Sequence, residues 1–244
     1  MNPGVTTVGG TLGEAISQVL GHPVELVCAG RTDRGVHAWG QVVSFEARGR
    51  GLDVDDLLRS TNALCAPAIV VRDAQVVEPE FDARRSAVAR SYRYLVLNRP
   101  VPDPFLAPTA WHVPTPLDVG AMRLACDPLI GEHDFSSFCR RPGGAEADVS
   151  LTRRVIGAQW EEVGDVLRLD IEASSFCHQM VRSLVGTMVE MGRGRKRAGD
   201  MLAIREARDR SRAGQPAPPH GLCLWAVRYD EAISPGARPG VPQR

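Results

Sequence analysis

The chain has 244 residues, 43% hydrophobic and 24% charged, and its 29 basic and 29 acidic side chains cancel to a net charge of zero. A domain typically takes about 100–200 residues, so one large or two small domains fit, with enough chain to bury a substantial core. No apolar run approaches the roughly 20 residues that cross a bilayer, and Met1–Gly10 lacks the basic segment and apolar core of a secretory signal, so the expectation is a cytoplasmic protein with no membrane partner.

Thr11 and Glu14 form a capping-box pattern, and Ala15, Ile16, Val19 and Leu20 supply an apolar face, which predicts a first helix capped at Thr11. Val24–Ala29 reads as a strand running into a turn at Gly30, and Gly40–Glu46 as the next strand. Asp53–Leu64 reads as a helix with Leu57, Leu58 and Leu64 apolar, and Ile69–Val77 is rich in β-formers. In Ser91–Leu97, strand alternation puts Tyr92, Tyr94 and Val96 on one face. Prolines crowd Asn98–Pro116, and a residue that fixes φ and removes a backbone donor predicts irregular connecting chain. Leu117–Cys126 reads as a helix ending before Pro128, and Arg140–Ser150 as a mobile loop. Val155–Trp160 and Val166–Ala173 read as a hairpin over Val163-Gly164-Asp165. Phe176–Met191 is the strongest helix pattern, with Phe176, Met180, Val181, Leu184, Val185, Met188 and Val189 at helical spacing. Asp200–Arg208 reads as a short helix, Gly221–Asp230 as a final strand and the Pro/Gly-rich Ser234–Arg244 as a disordered tail. Both halves mix helices with mostly adjacent strands, which predicts two α/β subdomains with strands of both kinds of pairing.

Cys28, Cys65, Cys126, Cys139, Cys177 and Cys223 contain no Cys-x-x-Cys pair and match no zinc template. In an intracellular chain they are expected to be reduced, several of them acting as small hydrophobes, with neither a disulfide nor a structural metal. Lys196 is the sole lysine. The arginine bias reads either as a coding preference or as a supply of bidentate forks for phosphate. A nucleic-acid binder needs its positive charge gathered on one face, not a positive total.

Three segments could carry chemistry. In Gly30–Gln41, Arg31 and Asp33 lie two apart, so on an extended chain they share a face, and a neighbouring arginine keeps a carboxylate ionised and aimed. An ionised, oriented aspartate can serve as a nucleophile or general base. Thr-Asp-x-Gly is equally ordinary turn chemistry, in which Asp bonds its own backbone. A metal reading through Asp33 and His37 has only two ligands four apart and is disfavoured. In Arg90-Ser91-Tyr92-Arg93-Tyr94, tyrosine rings beside arginine suit base stacking, and they suit a core strand with buried tyrosines equally well. In Phe176–Arg182, Arg182 falls near the face of His178 four residues earlier. A lone arginine on an apolar helix either snorkels or pairs with a buried carboxylate. The cluster Arg193–Arg197 beyond it reads as a solvated helix end or as a phosphate contact.

Together these segments resemble the tRNA pseudouridine synthase A family. The run GRTDRGVHAWGQV from Gly30 to Val42 matches the family signature GRTDxGVHAxGQV. Further matches are the stretch Phe81–Tyr94, Gly131–Phe135 with Ser136-Ser137-Phe138, Arg153-Arg154, the Met180-Val181-Arg182 helix with Gly186, and Gly221–Leu224. The resemblance spans about Thr11 to Asp230. It implies an isomerase that converts uridine to pseudouridine in the anticodon stem-loop of tRNA, at positions about 38–40, with no cofactor and no metal. It also implies a homodimer. The fold it implies is α+β: two RRM-like (ferredoxin-like) subdomains with a joined, mainly antiparallel sheet and a central cleft. Residues 1–82 would form the catalytic-loop subdomain and residues 83–233 the second, with 234–244 as the tail. By this resemblance the essential aspartate falls on Asp33, the active-site tyrosine on Tyr92 and the arginine partner of the aspartate on Arg182. Arg31, Arg34, His37 and Tyr92 are the expected substrate-contacting residues. The target uridine is stacked in a stem and has to be flipped out, at a cost of a few kcal/mol.

Family members usually open with a strand carrying Tyr-Asp-Gly and then Gly-Trp-x-x-Gln, whereas this chain starts at Met1-Asn2-Pro3-Gly4, close to its first helix. That predicts a missing first strand and an open sheet edge beside the catalytic loop. Three readings stand open: a start site set too late, an edge covered by another element, or a divergent paralogue that binds RNA with weak or no isomerase activity. A metal hydrolase using Asp33, His37 and His178 is a third, disfavoured function.

Overall fold

The computed structural model describes residues 6–48, 51–141 and 149–230. In chain order its elements are α1 (Val8–Leu20), β1 (Val27–Cys28), β2 (His37–Ala38), β3 (Val43–Ser44), α2 (Val54–Cys65), β4 (Ala87–Leu97), β5 (Trp111–His112), α3 (Val119–Leu124), β6 (Gly131–Asp134), β7 (Thr152–Val163), β8 (Val166–Ala173), α4 (Met180–Gly192), α5 (Asp200–Glu206) and β9 (Leu222–Tyr229). This is a mixed α+β protein with a mostly antiparallel open sheet. It divides into two compact units. The first takes the described residues of Met1–Arg31, Val42–Ala87 and Tyr229–Ala237, and the second those of Thr32–Gln41 and Val88–Arg228.

In the first unit, α1 and α2 bury Leu12, Ala15, Ile16, Leu57 and Cys65, against which Val19, Leu26, Val43 and Phe45 pack. The cap of α1 is Thr7, whose hydroxyl accepts from the Gly10 amide at 3.1 Å. Thr11, the expected cap, lies inside the helix and its amide already bonds the Thr7 carbonyl. Two Thr residues four apart offer the same cap chemistry, and the earlier one is used. Asp53 caps α2 by accepting from the Asp56 amide at 2.9 Å. β1 and β3 pair antiparallel, Val27 opposite Ser44, as a ribbon much shorter than the two strands expected. No strand forms over Ile69–Val77. There the Asn62 side-chain amide bonds both the N–H and the C=O of Val71, each at 2.7 Å. A side chain thus satisfies backbone groups that a partner strand would otherwise satisfy.

The second unit is built on a seven-stranded sheet ordered β2-β9-β4-β8-β7-β6, with β5 pairing β4. β7 and β8 form the expected hairpin, with Gly164 at φ 61° in its turn. Along β8, Leu167, Leu169, Ile171 and Ala173 alternate into the core, the period of two that a half-buried strand requires. β4 pairs antiparallel with β8, Tyr92 opposite Ile171 and Tyr94 opposite Leu169. Its odd residue Arg93 faces away, donating to Asp170 at 2.8 Å and stacking over Trp225 at 3.8 Å. α4 is apolar nearly all round and buried accordingly. Gly186 lets this helix approach the chain at Gln215, since a Cβ there would stand 1.9 Å from the Gln215 carbonyl oxygen. Within Gly131–Phe138, Phe135, Ser136, Ser137 and Phe138 are buried, and Ser137 donates to the Ile204 carbonyl at 2.6 Å, so this run builds core.

One expectation about cysteine is overturned. Cys139 and Cys177 are disulfide-bonded, with Cα atoms 5.7 Å apart. Spacing in sequence gave no hint, because the pair is made by tertiary structure: the Arg140 amide bonds the His178 carbonyl at 2.9 Å and draws the two segments side by side. Cys28, Cys65, Cys126 and Cys223 are free thiols. The expected mobile loop Arg140–Ser150 falls largely on residues 142–148, and the expected tail on 234–244, both outside the described residues.

Candidate active site

Asp33 opens a tight turn. The Val36 amide bonds the Asp33 carbonyl at 3.1 Å, and Gly35 sits at φ 83° in the third position, the left-handed conformation that a type II turn requires there. Beyond the turn, β2 pairs parallel with β9, His37 opposite Cys223 and Ala38 opposite Leu224. The amides of Trp39 and Gly40 both reach the Leu224 carbonyl. A Cβ on Gly40 would lie 2.3 Å from the Trp225 carbonyl oxygen, so only glycine lets the segment close on β9. The turn is therefore anchored on its C-terminal side to the sheet.

The turn is closed by backbone, and the Asp33 carboxylate is used elsewhere. One oxygen accepts from Arg182 Nη1 at 2.9 Å and the other lies 3.1 Å from His178 Nε2. Asp33 and Arg182 are each about three-quarters or more buried, and His178 is half exposed. Arg182 is itself held: its Nε donates to the Ala217 carbonyl at 2.7 Å, while the Ala217 amide donates to the Arg182 carbonyl at 2.9 Å. Arg182 stands in the first turn of α4, where the helix dipole disfavours a cation, and the adjoining carboxylate offsets that cost. Gln179 before the helix takes a left-handed φ of 65°. Such a conformation is uncommon for a non-glycine residue and marks a place where the surroundings override local preference.

Tyr92 is the third member. It is 8% exposed and meets Phe176 edge to face, with ring centroids 5.1 Å apart. Burial pushes its phenol up to about 12, and the nearby Asp33 charge adds to that shift, against an opposing effect of Arg90. Tyr92 is thus a neutral phenol near the carboxylate at any ordinary pH. Tyr94, two residues on, is fully buried with its hydroxyl donating to the Pro218 carbonyl at 2.8 Å. Of the two readings of the tyrosine strand, Tyr94 takes the core role.

The structure thus brings Asp33, Arg182 and Tyr92 together. It adds Phe176 and His178, which stands before α4 and reaches the Asp33 carboxylate from there. His37 turns its Nε2 to the Pro108 carbonyl at 2.9 Å. Arg31 and Arg34 are exposed. Among the described residues no group of three His, Cys, Asp or Glu side chains is placed to hold a metal ion. Chemically, an aspartate whose two carboxyl oxygens are fixed by a guanidinium and an imidazole is aimed as a nucleophile or general base would be.

The family described as tRNA pseudouridine synthase matches residues 125–230 of this chain. The chain is 38% identical over 229 residues to tRNA pseudouridine synthase A of Brevibacillus brevis, covering 94% of this chain and 92% of that one. It is 42% identical over 228 residues to tRNA pseudouridine synthase A of Methylobacterium nodulans, covering 93% and 88%. The protein of that name from Caulobacter is 40% identical over 225 residues, covering 92% and 89%.

Proposed function

The chain belongs to the tRNA pseudouridine synthase A family, whose members are isomerases acting on tRNA, and from that premise we propose that it converts uridine to pseudouridine in the anticodon stem-loop with Asp33 as its catalytic carboxylate. In that reaction the bond from uracil nitrogen 1 to the ribose breaks, the base turns, and carbon 5 joins the same ribose carbon. The proton displaced from carbon 5 balances the one gained at nitrogen 1, so no atoms are lost and no redox partner is required.

The observation that carries this reading is the Asp33 carboxylate, fixed on one oxygen by Arg182 and on the other by His178. Such a group serves each of three routes: attack on the ribose, proton abstraction after cleavage to a glycal, or addition to the uracil ring. Tyr92, a neutral phenol within the field of that carboxylate, offers a ring to set against the flipped base and a hydroxyl to take part in proton transfer. Arg31, Arg34 and His37 stand in the reading as substrate contacts, Arg31 and Arg34 through the RNA backbone. Contacts to phosphate would offset the cost of flipping the uridine from its stack.

The same reading takes the protein as a cytoplasmic homodimer of two RRM-like halves, working without metal. The alternative of a divergent RNA-binding paralogue is not favoured, because the relatives match over 92% or more of this chain. The test is to incubate purified protein with unmodified tRNA and map pseudouridine at nucleotide resolution, with and without EDTA. Pseudouridine confined to the anticodon stem-loop and formed in EDTA is the expected result. Tight tRNA binding with no product would favour the paralogue, and activity abolished by EDTA would favour a metal enzyme.

A further inference from the structure

Next to the Asp33 cluster, and not part of it, lies a cavity of about 390 Å³ lined by Arg140, Gln179, Arg210, Ser211, Gly214 and Gln215, among others. Arg210 is the lining residue with the least satisfied side chain. One terminal nitrogen donates to the Gln179 side-chain oxygen at 2.7 Å. The other is buried and has no hydrogen-bond acceptor among the described residues. No carboxylate among the described residues pairs with Arg210 or with Arg140. The nearest acidic group in sequence, Asp209, is turned onto the Ser211 amide and hydroxyl at 2.8 Å each. A buried guanidinium donor without an acceptor is costly, and the cost is met when an anion enters. Burial, with the like charges of Arg140 and Arg182, pulls the Arg210 guanidinium below its ordinary range; of the three, only Arg182 has a carboxylate partner among the described residues.

We propose that this cavity is a subsite for one phosphodiester of the RNA backbone, bound by Arg210 and Arg140 with Gln179 holding Arg210 in place. It rests on the reading of the protein as an RNA-modifying isomerase and adds where the chain beside the target nucleotide is gripped. Three features select a phosphate over a base. The lining holds no aromatic ring, so a base would have nothing to stack on. Arginine forks match phosphate geometry bidentately. The cavity is also tied to the catalytic group by chain connectivity: His178 faces Asp33 while its neighbour Gln179 faces Arg210. A phosphate seated there lies beside the nucleotide whose sugar is presented to Asp33, and holding it fixes the backbone about which that nucleotide turns out of the stack.

The experiment uses the full chain and a set of anticodon stem-loop RNAs, each with one neutral methylphosphonate linkage near the target uridine. Affinity and single-turnover rate are measured for the unmodified protein, Arg210→Gln and Arg140→Gln. The unmodified protein should lose about tenfold in affinity at one linkage, the scale of one charge-assisted contact. Arg210→Gln should show a similar loss on native RNA and no further loss at that linkage. Its dependence of log affinity on log salt should be shallower by about one. Arg140→Gln, an exposed side chain whose loss leaves the core intact, should show the same pattern more weakly. Independent, additive losses at every linkage, or unchanged salt dependence in both variants, would overturn the subsite while leaving the isomerase reading standing. Inorganic phosphate held by Arg210 with no linkage effect would assign the cavity to a free anion and overturn it too. If the unmodified protein neither binds nor converts tRNA, the isomerase reading fails first and the subsite with it.

Discussion

Arg182 donates to the Asp33 carboxylate at 2.9 Å across 149 positions of sequence, and its Nε holds the Ala217 carbonyl at the same time. One planar fork therefore ties the Asp33 turn to the chain that runs along α4. A lysine offers one flexible ammonium and cannot hold both acceptors in that geometry. Arg182→Lys should lower kcat at least about tenfold, the factor given by about 1.4 kcal/mol of lost positioning, with little change in tRNA affinity. Steady-state kinetics check this, and an unchanged kcat would remove Arg182 from the site.

His178 touches the other carboxylate oxygen but is half exposed. Solvent-screened pairs contribute about 0.2–1 kcal/mol. His178→Ala should therefore slow turnover by less than about fivefold, clearly less than Arg182→Lys. A loss as large as that of Arg182→Lys would show that the imidazole takes part in proton transfer.

These two partners show what the sequence could and could not reveal. The helix expected over Phe176–Met191 begins only at Met180, after Gln179 in the left-handed conformation, so His178 reaches Asp33 from the chain before α4 and not through helical spacing; the Gly30–Val42 signature singled out Asp33. Nothing local could show that Asp33 uses its backbone for the turn and its carboxylate for Arg182, since either use fits Thr-Asp-x-Gly. The elements with a clear period, α4 and β8, were legible because one face of each meets the core. β1 and β3 were anticipated in place but at greater length, and the strand expected at Ile69–Val77 does not form, because the Asn62 side chain takes the Val71 backbone groups a partner strand would need. The Cys139–Cys177 pairing was hidden because the two positions, 38 apart in sequence, meet only through tertiary structure.

Tyr92 keeps its proton well past the ordinary tyrosine value of 10, up to about 12. Its folded value lies above the unfolded one. The stability it contributes is therefore fully present below pH 10 and is lost as pH rises toward 12. In a spectrophotometric titration, the difference between the native protein and Tyr92→Phe should show no tyrosinate until well above the ordinary midpoint. A difference midpoint near 10 would contradict the buried placement. Tyr92→Phe should also keep tRNA binding and slow turnover; equal loss of both would make the hydroxyl structural.

Gly186→Ala tests the close approach that holds Arg182. In an open helix the change stabilises by about 0.5–1 kcal/mol. Here the new methyl would meet the Gln215 carbonyl oxygen at 1.9 Å, and the chain from Gln215 to Ala217 has to move. Overpacking of that kind costs about 1–3 kcal/mol, so the sign reverses and thermal denaturation should show Tm lowered by about 2–4 °C per kcal/mol. A raised Tm would mean that the approach is looser than described.

The most direct measurement is single-turnover pseudouridine formation by Asp33→Asn on unmodified tRNA, with affinity measured on the same samples. The substitution keeps the side chain's shape and removes its charge, so it leaves the turn and its backbone bonds in place. Loss of product with tRNA affinity retained is the predicted result. Pseudouridine formed at the native rate would contradict the assignment of Asp33 as the catalytic carboxylate.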